Sequence, residues 1–347
     1  MERLPLEAQT LYAELVERLR TFEAMRSLGH SPGTFTLKTV KGRQYYYFQQ
    51  SLPGGTKRQT YIGPRSPDLD DLVARFAETR ALAESDKQSI IRLASLVRTS
   101  GGMVTDSPSA RVIGALADAG VFRLGGVLVG THAFVAIGNL LGWRWSSSLK
   151  TLDIDIAADP QITVAVPHPS ADVSTALERL NMGFLPVPGL EADSPTTSFT
   201  VRGKGLRVDI ITPARRESDR PVHIHHLGVA AQPIRHLSYL IESPVEGAIV
   251  DGDGILVRVP QPARFGLHKL LVSRSRPATQ QAKACKDLEQ AAQVLRAVLE
   301  DRPGDVERAW DAFLGEGRRS VRLVREAVAA LKDEQPELAL RLRAITG

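Results

Sequence analysis

Leu4, Leu11, Leu15 and Leu19 recur at spacings of seven and four, which predicts a helix over residues 4–28. Gly29-His30-Ser31-Pro32-Gly33 ends it. Thr34–Val40 and Gln44–Gln49 are rich in β-branched and aromatic residues and are separated by Gly42, so they predict a hairpin. Pro53-Gly54-Gly55 turns the chain again, and Arg58–Ile62 reads as a third strand. A long charged helix over 68–98 and a short helix over 109–119 follow. The middle of the chain changes period. Val127–Val129 is a buried strand broken by Gly130-Thr131, and 132–141 suits a helix. Leu152–Ala157 alternates as a strand does. A helix over 170–181 ends near Gly183. Ser198–Arg202 and Leu206–Ile211 flank Gly203-Lys204-Gly205 as a hairpin, and short strands such as Gly254–Val259 continue, with Gly252-Asp253-Gly254 as a turn. Beyond Pro262 the pattern is helical. Cys285, Leu288, Ala292, Leu295 and Leu299 form an apolar stripe, which makes Cys285 a core thiol.

These elements predict an α+β protein. A small mixed-sheet core over 105–262 lies between an N-terminal helix and β-hairpin region over 1–104 and a C-terminal helical lobe over 263–347. Hydrophobic residues at 43% and charged residues at 24% indicate a globular chain rather than a disordered one. A single cysteine, Cys285, excludes an internal disulfide and a cysteine-clustered zinc site and suits a reducing compartment. No apolar leader follows Met1, so a cytoplasmic location is expected. Leu124–Trp143 carries no formal charge, but Gly125, Gly126, Gly130, Gly138 and Gly142 argue against a membrane span. Net charge sharpens the division. The chain totals +5, with +4 over 1–100, −3 over 101–262 and +4 over 263–347. An acidic middle between basic flanks invites a nucleotide or polyanion partner, although solvated charged faces are the ordinary reading.

Asp153 and Asp155 alternate with Ile154 and Ile156, so the two carboxylates share the face opposite the isoleucines. Like charges side by side on a half-buried strand repel, and a divalent cation removes that cost. Asp209 sits in the apolar run Val208–Ile211 and is a candidate third ligand. Gly130-Thr131, between a strand and a helix, places backbone N–H groups and a hydroxyl where phosphate binds. Taken singly, an Asp-x-Asp is a turn or a solvated edge and a Gly-Thr is a cap; the ordered set is far more specific.

Gly130-Thr131, Asp153-Ile154-Asp155 and Asp209 together resemble the polymerase-β-type nucleotidyltransferase superfamily. Threonine stands where serine is common, and Asn139–Lys150, with Trp143 and Trp145, looks like an insertion before the Asp-x-Asp strand. Pro262-Ala263-Arg264-Phe265-Gly266-Leu267-His268-Lys269-Leu270, Arg274, Arg276 and Lys286-Asp287-Leu288-Glu289 resemble bacterial nucleotidyltransferase-fold proteins related to abortive-infection toxins of toxin–antitoxin pairs. The resemblance covers about 105–300 and implies active-site roles for Lys269, Lys286 and Asp287. It implies a metal-dependent nucleotidyltransferase. Asp153, Asp155 and Asp209 would hold Mg2+ or Mn2+, and Asp209 would complete the metal site or draw a proton. Gly130, Thr131, Lys269, Lys286 and Asp287 would bind the nucleoside triphosphate, Lys269 as a point charge unless it is a solvated helix lysine. An RNA or tRNA acceptor fits the basic flanks, and a protein or small-molecule hydroxyl stays open. A non-catalytic nucleotide- or nucleic-acid-binding module and a toxin with a cognate antitoxin are the rival readings.

Residues 36–65 contain Lys38, Lys41, Arg43, Lys57, Arg58 and Arg65, no acidic residue, and Tyr45, Tyr46, Tyr47 and Tyr61. Cations interleaved with aromatics suit backbone contacts plus base stacking, which makes Lys38, Lys41, Arg43, Tyr45, Tyr47, Lys57, Arg58 and Tyr61 candidate acceptor-binding residues. A hairpin packed with its aromatics inward and its lysines outward explains the same pattern. His223-Ile224-His225-His226 lacks a completing ligand and reads as structural or exposed. His132 could meet phosphate or pack near the cap.

Overall fold

β1 (Glu2–Arg3) and α1 (Leu6–Ala24) begin the chain, and α1 buries Tyr12, Leu15, Val16 and Leu19 on one stripe. The structure, a computed structural model, describes residues 1–25, 33–51, 57–146, 151–161, 171–189, 194–214 and 220–347. The helix break expected at Gly29–Pro32, the Pro53-Gly54-Gly55 turn and the end of the expected insertion at Lys150 lie outside the described residues. β2 (Thr34–Val40), β3 (Arg43–Ser51) and β4 (Lys57–Pro64) form an antiparallel sheet in that order. Phe35 and Phe48 project from one face of it onto Phe76 of α2 (Pro67–Thr99), at ring separations of 5.0 and 5.8 Å. Ser66 caps α2 by accepting from the Leu69 N–H, with Pro67 in the first turn. The far end of α2 carries Ile90, Leu93, Ala94 and Val97, which pack with the α1 stripe and with Ala248 and Val250.

The mixed sheet is built by strands whose inward residues are aliphatic and whose outward residues include Asp153, Asp155, Arg207 and Asp209. α3 (Ser107–Asp118), capped by Asp106, leads to β5 (Val127–Val129) and α4 (Gly130–Leu141). β6 (Trp143–Arg144) pairs antiparallel with β1. The expected insertion therefore starts inside α4 and continues as sheet. Its Trp145 stacks on Phe134 at 4.8 Å and donates to the Phe134 carbonyl, so an amphipathic ring serves the core. β7 (Asp153–Ala157), α5 (Val173–Arg179), β8 (Phe184–Pro186), β9 (Ser198–Val201) and β10 (Arg207–Pro213) come next, then β11 (Val222–Ile224), β12 (Val229–Ile234) and α6 (Leu237–Ile241). The sheet order is β11-β12-β10-β7-β5, with β9 also on β10 and β8 on β9. β7 runs antiparallel to β5 and parallel to β10. Ile154, Ile156, Val208 and Ile210 are fully buried on the inner side, each contributing ~1.5–3 kcal/mol of burial. β13 (Val245–Ile249) and β14 (Ile255–Val259) form a separate hairpin around the Gly252-Asp253-Gly254 turn.

α7 (Pro262–Ser275), α8 (Gln281–Asp301), α9 (Pro303–Phe313), α10 (Arg318–Ala330) and α11 (Pro336–Thr346) complete the chain. Gly266 lets α7 close on α8, since an added Cβ would lie 2.6 Å from the Leu295 side chain. Phe265 stacks on Phe134, and a single buried cluster runs from Met103 to Leu342, so the sheet and the helical lobe share one hydrophobic core. The apolar stripe of α8 does not extend to Cys285 as the spacing predicts. That thiol is exposed, because the first turn of α8 runs past the surface on which the rest of the helix packs. Among the described residues no helix is long and apolar enough to cross a membrane.

Candidate active site

β5 delivers the chain to Gly130, which adopts φ +69° and starts α4. Glycine is required twice over there. The backbone is left-handed, and an added Cβ would collide with Asp155 Oδ2. Register places Asp155 opposite Val129 on one side and Asp209 on the other, while Asp153 faces Arg207. Asp155 thus lies between the Gly130 turn and a second carboxylate. Burial pushes its pKa up to about 6, and Asp209 and Asp153 add to the rise while Lys269 and Arg207 oppose it. This strand position favours positive charge.

Asp209 is engaged already. Its Oδ1 accepts from Arg207 Nε at 2.8 Å and from Ser198 Oγ, and Arg207 Nη2 donates to Ser198 Oγ at 3.1 Å. The antiparallel pairing of β9 with β10 sets Ser198 directly opposite Asp209. Neither Ser198 nor Arg207 was distinguishable as a site residue in the sequence, because that needs the register of three strands. The only available signal was the Gly203-Lys204-Gly205 turn that fixes the hairpin.

From the helical lobe, Lys269 of α7 donates to Asp287 Oδ1 of α8 at 2.6 Å. Arg276 Nε donates to Asp287 Oδ2 at 2.5 Å. The Asp287 side chain is only 4% exposed, so a buried carboxylate is held between two cations. Arg276 belongs to the resemblance pattern, but its pairing with Asp287 follows from the meeting of two elements rather than from any sequence spacing. Lys286 is half-buried. Burial and the Lys269 ammonium hold its pKa below the usual range, against Asp287 and Asp153. His132, in the first turn of α4, has its pKa pushed down to about 4 by burial, opposed by Asp106 and Asp153, and its buried Nε2 has no hydrogen bond. Thr131 is buried beside it, and no side chain caps this end of α4. The structure therefore brings Gly130, Thr131, Asp153, Asp155, Asp209, Lys269, Lys286 and Asp287 to one side of the sheet.

Three hard oxygen donors beside an elevated proton affinity fit a divalent cation such as magnesium or manganese, with Asp153, Asp155 and Asp209 as the residues that could hold it. The fit is one of donor chemistry and register. Among the described residues no three His, Cys, Asp or Glu side chains are drawn into a ready cage. His223 and His225 lie exposed with their rings 4.7 Å apart.

The predicted acceptor residues form a separate group on the N-terminal sheet. Lys38, Arg43, Tyr45, Tyr47, Lys57 and Tyr61 fall on its face away from α2, Lys41 lies in the β2–β3 turn, and Arg58 has the opposite parity. Tyr46 belongs to the α2 side, where its hydroxyl donates to Asp70 at 2.6 Å.

A family model described as nucleotidyltransferase matches residues 107–315, more than half of the chain. Among solved structures, an antigenic nucleotidyltransferase-like protein from Paracoccidioides brasiliensis is similar over 70% of this chain and 95% of its own, at 14% identity and a TM-score of 0.37. No curated protein matches the chain at a significant level. The family match begins at α3 and ends just beyond α9, so it takes in the glycine turn, the three aspartates and the Lys269–Asp287 pair: the chain belongs to this nucleotidyltransferase family.

Proposed function

We propose that the chain is a divalent-metal-dependent nucleotidyltransferase that moves a nucleoside monophosphate from a nucleoside triphosphate to an acceptor hydroxyl, with RNA as the favoured acceptor class. The observation that carries this reading is the seat of Asp155, packed against the Gly130 turn, beside Asp209 and within the field of Lys269. In the reaction the acceptor oxygen bonds to the α-phosphorus, the α–β bridging P–O bond breaks and pyrophosphate leaves. A cation held by Asp153, Asp155 and Asp209 would neutralise phosphate oxygens as they approach.

The protein's own groups do the rest. The uncapped N–H groups of the first turn of α4, with the Thr131 hydroxyl beside them, offer donors to phosphate. Lys269, fixed by Asp287, supplies a point charge to the triphosphate, and Lys286 adds a second. Asp209, oriented by Ser198 and Arg207, takes the proton from the attacking hydroxyl. Incubation with α-labelled or γ-labelled triphosphates, magnesium or manganese, and total RNA tests the reading. Label entering RNA from the α position alone is expected. Transfer from the γ position would mean phosphorylation, and label in protein alone would reject the RNA acceptor.

A further inference from the structure

The three-stranded sheet of β2, β3 and β4 uses its two faces differently. Phe35, Tyr46 and Phe48 point to α2 and are covered, with Tyr46 only 9% exposed. The other face carries a second aromatic set that the fold does not consume. Tyr61 lies 5.6 Å from Tyr47 and 6.2 Å from Tyr45, and it is 54% exposed. A polar ladder crosses beside these rings. Lys38 Nζ sits 5.2 Å from the centre of the Tyr47 ring and donates to Gln59 Oε1, and Gln59 Nε2 donates to Gln49 Oε1 at 2.7 Å. Lys57 and Arg43 are exposed toward the two ends of the same face. At the Arg43 end an open hollow of about 680 Å3 lies toward the α2 side, lined by Arg43, Gln44, Arg65 and Asp70, with Arg65 paired to Asp70 at 3.1 Å. No acidic residue occurs anywhere from 36 to 65.

We propose that this face of the β2–β3–β4 sheet binds single-stranded RNA. Stacking needs accessible rings, and the exposed Tyr61, with the half-buried Tyr45 and Tyr47 set tilted and edge-on beside it, provides a three-ring cluster on this face. A duplex hides its base faces, so the platform selects single strands. Phosphates need cations without competing carboxylates, and Lys38, Arg43 and Lys57 flank the rings in an acid-free segment. Thr36, Gln49 and Gln59 lie among the rings and can exchange hydrogen bonds with a ribose 2′-hydroxyl, which DNA lacks. One aromatic set packs inward as a structural hairpin requires, and a second set remains outward. Binding here does not depend on transfer at the aspartate sheet.

Fluorescence anisotropy of the full chain with a labelled, unstructured 15-nucleotide uridine RNA tests the proposal. Tyr47→Ala and Tyr61→Ala should each weaken binding by about 5- to 150-fold, the range for one lost base stack. Tyr47→Phe keeps the ring and should bind within about twofold of wild type. Lys38→Ala and Lys57→Ala should each lower the slope of log affinity against log salt by about 0.7. DNA of the same base composition and duplex RNA should both bind more weakly. Asp155→Asn should bind as wild type does, so a failure of this proposal is distinguishable from a failure of nucleotidyl transfer. Unchanged melting temperatures for the tyrosine variants separate lost contacts from lost folding. Alanine variants that bind as wild type does, or equal affinity for the DNA strand, would overturn the proposal.

Discussion

The aspartate sheet and the tyrosine sheet are both half-covered, yet they hold their exposed groups in opposite ways. In the first, a carboxylate is tied across neighbouring strands, and a cation of the helical lobe is fixed separately by an ion triad. Asp209 is held by Arg207 and Ser198, and Lys269 is held by a buried Asp287 that Arg276 also grips. In the second, the outward tyrosines touch mainly one another and one lysine. Chemistry needs groups positioned before the substrate arrives, and that requires supporting contacts. Stacking on a strand needs only accessible rings and nearby charge. The comparison predicts that substitutions in the aspartate sheet will disturb catalysis and stability together, whereas substitutions on the tyrosine face will disturb binding alone.

The largest effect should separate the two regions outright. Asp155→Asn should reduce nucleotidyl transfer by at least ~100-fold, more than loss of an outer supporting group costs, and leave RNA affinity intact. Parallel transfer and anisotropy assays measure both. Next comes the buried ion triad. Asp287→Ala leaves Lys269 and Arg276 without their shared partner and should cost ~3–5 kcal/mol in urea unfolding. A cost under ~1 kcal/mol would show that the triad does not hold α7 against α8.

The third prediction concerns pH. The folded-state pKa of Asp155, about 6, lies above its ordinary 3.8, so folding disfavours the charged carboxylate. Its contribution is most favourable below pH ~4 and is lost as pH rises through about 6. In EDTA, Asp155→Asn should therefore equal wild type near pH 4 and exceed it at pH 8, by up to ~3 kcal/mol. Added magnesium should narrow that gap, and chemical denaturation at the two pH values reads it. The smallest effect belongs to the tyrosine face, where Tyr61→Ala should change stability by no more than ~0.5 kcal/mol. By contrast, Phe76→Ala removes the ring under Phe35 and Phe48 and should loosen the whole sheet.

The sequence discloses local patterns better than meetings between distant elements. Asp153-Ile154-Asp155-Ile156 states its own faces through alternation, and the strand stands where that pattern puts it. Gly130-Thr131 likewise marks the strand-to-helix turn, because only a residue tolerant of positive φ fits there. Asp209 is legible for the same reason as Asp155. The partners of Asp209 are not, since Ser198 reaches it only through antiparallel register. Lys269, Arg276 and Asp287 lie on two helices, and their meeting depends on the close approach at Gly266 rather than on any spacing. The family resemblance pointed to Lys269 and Asp287, but not to the ion triad that fixes them. Cys285 shows the converse error, in which a period of three and four continues past the surface that gives it meaning. The tyrosine hairpin is a third case. Its composition was visible, but the assignment of Tyr46 to one face and Tyr45, Tyr47 and Tyr61 to the other required the strand register.

The most direct test of the central claim is single-turnover transfer from an α-labelled triphosphate, comparing wild type with Asp155→Asn in magnesium and in EDTA. The account predicts labelled product and stoichiometric pyrophosphate from wild type in magnesium, and none from wild type in EDTA or from the variant in either. Equal transfer by Asp155→Asn, or transfer by wild type undiminished in EDTA, would contradict it.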